Sequence, residues 1–100
     1  MSKDTLFILD RSYHDDAGNE FFCRDCVEID GLLNLFPERA ANLNIVRVPW
    51  ARPRTAVVEA ISEDQQNCPA LVFAEGGFVN TQDALLEALH RRHGFPRRSS

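Results

Sequence analysis

The stretch FFCRDCVEIDGLLNLF, residues 21–36, decides the fold that this sequence predicts, because it joins a pair of thiols to an amphipathic helix. Apolar residues recur in it at spacings of three and four, the period of one helix face. The members of that stripe are Cys26, Ile29, Leu33 and Phe36, with Val27 and Leu32 widening it. Gly31 interrupts the pattern at a cost of about 1 kcal/mol, and we expect a close packing contact to explain it. Pro37 then ends the helix.

Cys23 and Cys26 form the one group in the sequence that chemistry can use directly. Cys23 stands at the predicted helix start, where free backbone N–H groups and the positive end of the helix dipole favour a thiolate. Cys26 lies one turn further along, and we expect it to sit deeper and act as the resolving thiol. The residues between them oppose each other, since Arg24 favours a thiolate at Cys23 and Asp25 disfavours it.

The composition is that of an ordinary globular protein of 100 residues, with 44% hydrophobic and 26% charged residues. We expect a single domain over residues 1–100, with flexible ends at 1–4 and 96–100. The net charge of −4 argues against general affinity for nucleic acid. No apolar run approaches the roughly 20 residues of a membrane span. Three cysteines, and a start without the apolar segment of a secretory signal, favour a reducing, cytoplasmic setting.

The remaining elements are predicted from apolar runs and from the turn residues between them. Strands are predicted at 5–9, 44–49, 69–74 and 77–79. Residues 10–20 are predicted as a loop that ends at the dithiol and is long enough to cover it. A second helix is predicted from Pro53 to Ile61, and a third from an N-cap at Asn80 to a stop at Gly94. The order β-α-β-α-β-β-α predicts an α/β fold, a four-stranded mixed sheet flanked by three helices.

This order resembles the thioredoxin fold, in the form found in glutaredoxins and in the N-terminal domain of glutathione transferases. The resemblance rests on Cys23-x-x-Cys26 after the first strand, on Pro69 at the start of the third, and on a Gly-Gly turn and a capped helix around the fourth. The chain also resembles a family of small thioredoxin-like proteins, through Arg-Pro-Arg at 52–54 and Arg-His-Gly-Phe-Pro at 92–96.

The resemblance implies a thiol–disulfide oxidoreductase, or a redox-responsive relative, that uses its dithiol opposite a cis-proline at Pro69. It implies that Cys23 attacks a disulfide and that Cys26 then releases the product. The implied partners are a disulfide-containing protein or glutathione, with glutathione as a co-substrate and with no resident cofactor or metal.

Six residues are expected to contact substrate around this dithiol. They are Arg52, Arg54, Cys68, Pro69, Thr81 and Gln82. The cis-proline of the family leaves the backbone of Cys68 free to pair with an extended substrate, and arginine forks match carboxylates. Thr81-Gln82 replaces the Glu-Ser pair of glutathione transferases, which weakens the expectation of a γ-glutamyl carboxylate site there.

Two other classes of function stay open at this point. A non-catalytic thioredoxin-fold binding module would hold a peptide in the proline-flanked cleft and keep the cysteines as structural residues. A metal carrier would bind zinc or an iron–sulfur cluster through Cys23, Cys26 and Cys68 together with His14, since thiolates suit both. Cys68 alone is otherwise expected to be a small, buried apolar residue.

Overall fold

The computed structural model of the chain describes residues 3–99, which form a small α/β domain. The strands are β1 (Asp4–Leu9), β2 (Tyr13–His14), β3 (Glu20–Phe21), β4 (Leu43–Val48), β5 (Ala70–Val72) and β6 (Phe78–Val79). The helices are α1 (Arg24–Leu35), α2 (Pro37–Ala40), α3 (Thr55–Ala60) and α4 (Gln82–His93). No helix in residues 3–99 has the length and apolar character needed to cross a membrane.

β1 is the strand around which the main sheet is built, and the sheet order is β4-β1-β5-β6. β1 runs parallel to β4 and antiparallel to β5, and β5 runs antiparallel to β6, so the predicted four-stranded mixed sheet is confirmed. Leu6 and Ile8 point to one face of β1, while Phe7 and Leu9 point to the other. All four are at most 5% exposed, so both faces of the strand are covered, as its continuous apolar run predicts.

α1 buries the predicted stripe through Cys26, Ile29 and Leu33. Its last turn is closed by the backbone N–H of Phe36, which donates to Leu32 O at 3.0 Å. α2 follows as a single turn, so the described chain has four helices where the sequence analysis predicted three. The prediction was wrong because the proline that stops one helix is also a favoured first residue of the next.

The region before α1 is a hairpin where the sequence analysis predicted an irregular loop over 10–20. β2 and β3 pair Tyr13 with Phe21, and the Asp15 carboxylate fixes the turn by accepting the backbone N–H of Asn19 at 2.9 Å. Strands of two residues are too short to produce a recognisable alternation in the sequence. The hairpin places aromatic side chains directly before the dithiol.

α3 is shorter than predicted, because it begins at Thr55 and leaves Pro53 outside its first turn. Arg54 has a non-helical backbone, with φ −89° and ψ 83°, and its N–H donates to Gln66 Oε1 at 2.7 Å instead of entering the helix. The peptide bonds before Pro53 and Pro69 are both cis.

α4 begins one residue later than predicted, with Thr81 as its N-cap. The predicted cap, Asn80, uses its side-chain amide to donate to Gln65 Oε1 at 3.0 Å. The Asn80 side chain is therefore hydrogen-bonded to Gln65, although the local sequence predicted that it would cap the helix.

The end of α4 follows the prediction, since Gly94 adopts the left-handed conformation, φ 76°, that closes the helix. Phe95 is then fully buried and packs edge-on against Phe36, with ring centroids 6.5 Å apart. Arg97 pairs with Glu87 on α4 at 2.9 Å. These contacts hold the segment after α4 against the domain.

The predicted flexible ends, 1–4 and 96–100, include residues 1, 2 and 100, which lie outside the described residues. Asp4 is instead the first residue of β1, and it is buried. Its carboxylate accepts the backbone N–H of Ala74 at 2.8 Å and a two-pronged bond from Arg92 at 2.6 and 2.8 Å. Partners about 70 and 88 positions away along the chain therefore order this end.

Candidate functional site

Cys23 occupies the start of α1, where the sequence analysis expected the attacking thiol. It is the N-cap residue with an extended backbone, and its Sγ accepts the backbone N–H of Cys26 at 3.2 Å. The sulfur thus replaces the serine or aspartate oxygen that usually satisfies a free helix N–H. The residue is half-buried.

Cys26 lies behind Cys23, with only 2% of its surface exposed. Burial raises the pKa of the Cys26 thiol, and the hydrogen bond with Cys23 raises it further. Cys26 is therefore protonated at neutral pH. The two thiols therefore differ in burial, since Cys23 is half-buried and Cys26 is buried.

Cys68 and Pro69 precede β5, next to the dithiol. Pro69 is buried and Cys68 is half-buried. Burial raises the pKa of the Cys68 thiol, while the charge of Arg54 opposes that rise and the charge of Cys23 adds to it. The strand after Pro69, β5, begins beside Phe7 of β1, with which Ala70 pairs.

Arg54 is the unusual residue of the site, because it is buried, 7% exposed, and forms no salt bridge with a carboxylate in the described residues. Its Nε donates to Trp50 O at 3.0 Å and its Nη1 to Gln66 O at 2.8 Å. The Gln66 amide is itself fixed by Glu63 O at 2.9 Å. Arg54 therefore ties the segment after β4 to the loop before Cys68, a role that the sequence did not indicate.

Arg54→Met is expected to lower the free energy of unfolding by about 2 kcal/mol, because two backbone carbonyls lose a donor. It should also raise the pKa of Cys68, since the positive charge that opposes the effect of burial is removed. Denaturant unfolding and the pH dependence of Cys68 alkylation measure the two effects. Arg52→Met is the matched control, because Arg52 is exposed, and it should change stability by less than about 0.5 kcal/mol. Equal losses in both variants would show that the buried contacts of Arg54 contribute nothing specific.

An aromatic rim of four residues is formed by the hairpin before Cys23 and by the segment after β4. Its members are Tyr13, Phe21, Phe22 and Trp50. Tyr13 stacks on Trp50 with ring centroids 5.1 Å apart and planes 3° from parallel, and Phe22, directly before Cys23, is 63% exposed. An open pocket of about 470 Å³ continues from Trp50 to Arg52 and Arg54. The aromatic rim was not predicted from the sequence, in which the adjacent Phe21-Phe22 was a local signal for it.

Thr81 and Gln82 lie at the start of α4, where Gln82 contacts the first turns of α1. The Gln82 side-chain amide donates to Asp25 O at 3.1 Å and to Glu28 Oε1 at 2.8 Å. Its own Oε1 is buried without a hydrogen-bond partner in residues 3–99. Gln82 therefore fixes the first turn of α1 to α4 in this structure, and Thr81 makes no side-chain cap.

Glu28, on α1, contacts both Gln82 and Arg98 through its carboxylate. The Arg98 fork and the Gln82 amide hold the pKa of the Glu28 carboxyl at about 2. A pocket of about 640 Å³ lies beside it. Its lining residues are Arg24, Asp25, Val27, Glu28, Gln82, Asp83 and Arg98.

Metal-ligating side chains are dispersed in the described part of the chain. Within residues 3–99, no three residues among His, Cys, Asp and Glu are arranged to hold a metal ion. His14, the fourth ligand considered from sequence, lies exposed in β2.

The chain belongs to the DUF3088 family, described as a protein of unknown function, which it matches over residues 3–97. That range contains the whole candidate site, from Tyr13 to Arg54, Pro69 and Gln82. Comparison with curated proteins and with solved structures gave no match.

Proposed function

We propose that this member of the DUF3088 family is a thiol–disulfide oxidoreductase with a thioredoxin-like fold of the glutaredoxin type. The observation that carries the proposal is the unequal pair at the start of α1, a half-buried Cys23 and a buried, protonated Cys26. The Sγ of Cys23 accepts the backbone N–H of Cys26 at 3.2 Å, so the sulfur proposed to attack lies at the N-terminus of α1.

The architecture supports this assignment. The strand order β4-β1-β5-β6, with a parallel β1–β4 pair and antiparallel partners beyond, agrees with the glutaredoxin-type arrangement that the sequence resembles. α1 follows the end of β1 after a short hairpin, and a proline precedes β5. The hairpin and the dithiol follow β1, the proline precedes β5, and β1 and β5 are neighbouring strands of one sheet.

The proposed reduction of a substrate disulfide has two steps. The Cys23 thiolate attacks one sulfur of a substrate disulfide, so that a mixed disulfide forms and the other substrate sulfur leaves as a thiolate that takes up a proton. Cys26 then loses its proton and attacks the Cys23 sulfur, which releases the second substrate thiol and leaves a Cys23–Cys26 disulfide. Two molecules of a thiol reductant such as glutathione reduce that disulfide and are themselves oxidised to glutathione disulfide.

The substrate is proposed to lie between the aromatic rim and the start of β5. An extended segment would pair with the backbone at Cys68, while the rim would pack against apolar groups beside the reacting disulfide. Arg52, exposed in the pocket next to Trp50, would contact a carboxylate.

A turnover assay tests the proposal. With reduced glutathione as reductant, the protein should accelerate reduction of a small glutathione mixed disulfide or of insulin. The rate should depend on the concentration of the protein. A complete lack of acceleration with either substrate would contradict an oxidoreductase.

A non-catalytic binding module is the second candidate, and the exposed aromatic rim favours it, because tyrosine and tryptophan carry much of the energy at protein interfaces. Such a module would bind a peptide with equal affinity before and after alkylation of its thiols. It would show no turnover.

A further inference from the structure

The pocket after β4 is lined by two arginines and by no acidic residue of the described chain. It is open, with a volume of about 470 Å³, and its lining residues are Trp50, Ala51, Arg52 and Arg54. Neither arginine forms a salt bridge within residues 3–99. The pocket beside Glu28 differs, because its two arginines are accompanied by three carboxylates. In a chain with a net charge of −4, the pocket after β4 therefore has an unbalanced positive charge.

Arg54 is the buried cation of this pocket. It is 7% exposed, and a buried charge is costly unless an opposite charge accompanies it. Its hydrogen bonds go to uncharged acceptors, Trp50 O at 3.0 Å and Gln66 O at 2.8 Å. These two bonds use two of the five N–H donors of the guanidinium. Burial raises the pKa of the neighbouring Cys68 thiol, which is therefore neutral at pH 7 and does not supply the missing negative charge.

Arg52 is the exposed cation of the same pocket, two residues before Arg54. A guanidinium fork matches the oxygens of a carboxylate or a phosphate with two parallel hydrogen bonds. Arg54 is fixed by its backbone contacts, whereas Arg52 is free to adjust. A fixed fork and a free fork on one pocket can hold such an oxyanion together.

Trp50 forms the apolar wall of the pocket. Tyr13 stacks on one face of the indole, with ring centroids 5.1 Å apart, and Trp50 is still 43% exposed. The stack fixes the orientation of the indole, and an exposed indole packs well against apolar or aromatic groups. The wall therefore favours an anion that carries an apolar part over an inorganic ion.

We propose that the pocket formed by Trp50, Arg52 and Arg54 binds a small organic anion. Its carboxylate or phosphate group contacts both guanidiniums, and its apolar part packs on Trp50. The inference rests on this pocket and not on the proposed exchange reaction. Cys23→Ser, which removes the attacking thiol, should therefore bind the anion as tightly as the wild type does, and a failed turnover assay leaves the inference standing.

Fluorescence of Trp50 tests the proposal, because Trp50 is the only tryptophan in the sequence. Titration with phenyl phosphate and with benzoate, against sodium chloride at matched ionic strength, should give a saturable change for at least one of them, with Kd of about 1 mM or tighter. The tighter of the two identifies the oxyanion. Inorganic phosphate and acetate, which lack the ring, should each bind about tenfold more weakly than their aromatic counterparts.

Three arginine variants test the contacts. Arg52→Met should weaken binding at least about tenfold, and Arg54→Met should abolish it. Arg91→Met is the matched control, because Arg91 is exposed on α4 outside the pocket and its loss changes the net charge equally. It should change Kd by less than about twofold. Arg52→Met is decisive even if Arg54→Met does not fold, since Arg52 is exposed and its loss leaves the fold intact.

The proposal is overturned if no probe gives a saturable change up to about 10 mM. It is also overturned if Arg52→Met binds as tightly as the wild type, if Arg91→Met loses as much affinity as Arg52→Met, or if the ring of the probe makes no difference to Kd.

Discussion

Cys23→Ser is expected to abolish thiol–disulfide exchange, with a loss of about three orders of magnitude or more in turnover, because a hydroxyl replaces the attacking sulfur. The serine oxygen can still accept the Cys26 N–H, so α1 keeps its N-cap and the fold should be unchanged. The measurement is the glutathione-coupled rate, with circular dichroism as the test of folding.

Cys26→Ser should separate the two steps of the reaction. The first step needs only Cys23, so a mixed disulfide between Cys23 and the substrate thiol should accumulate and be visible by mass spectrometry. Cys68→Ser is the matched control, since Cys68 belongs to neither step, and it should retain most of the activity. The assignment is wrong if Cys68→Ser loses activity while Cys23→Ser keeps it.

Asp4→Asn is expected to destabilise the domain by about 3 kcal/mol, the lower end of the range for breaking a buried ion pair. The Asp4 side chain is 3% exposed, and its partner Arg92 is 30% exposed and keeps a second carboxylate, Glu75, at 2.7 Å. The neutral amide can no longer accept the Arg92 fork with both oxygens. For a domain of this size the loss corresponds to a Tm lower by about 12–24 °C.

The Asp4 carboxylate also makes the free energy of unfolding depend on pH. The Arg92 fork, with help from the Ala74 N–H and from His93, holds the pKa of the Asp4 carboxyl well below its usual 3.8, against the opposing effect of burial. A depressed pKa means that the contribution to stability is complete above about pH 5 and is lost as the pH falls through 3.8 towards the folded value. Denaturant unfolding at a series of pH values should show a steeper acid loss for the wild type than for Asp4→Asn.

Asp16→Asn is the control for both measurements, because Asp16 is exposed on the turn of the hairpin. It should change the free energy of unfolding by less than about 0.5 kcal/mol. Asp4→Asn with the stability and acid profile of the wild type would contradict a structural role for the Asp4–Arg92 pair.

The sheet and the position of the dithiol could be predicted because local patterns determine them. The continuous apolar run of β1 indicated a strand covered on both faces, and the spacing of Cys26, Ile29 and Leu33 indicated the buried side of α1. Gly94 marked the end of α4, because a left-handed residue is needed there.

The features that the sequence could not predict depend on partners far along the chain. Asp4 looked like part of a loose end, because its partner Arg92 lies 88 positions away. Arg54 was expected to contact a substrate carboxylate, and only the folded loop brings Gln66 O within 2.8 Å of its guanidinium. The stacking of Trp50 on Tyr13 could not be predicted, because Tyr13 lies in a strand of two residues and so short a strand shows no periodicity in the sequence.

Mapping the disulfide formed in glutathione redox buffers tests the central claim most directly. After equilibration and quenching of free thiols, peptide mass spectrometry should find Cys23 linked to Cys26, with a midpoint between roughly −180 and −270 mV. Cys68 should remain a thiol. Recovery of all three cysteines as free thiols in the most oxidising buffer, or linkage of Cys68 in place of Cys26, would contradict the account.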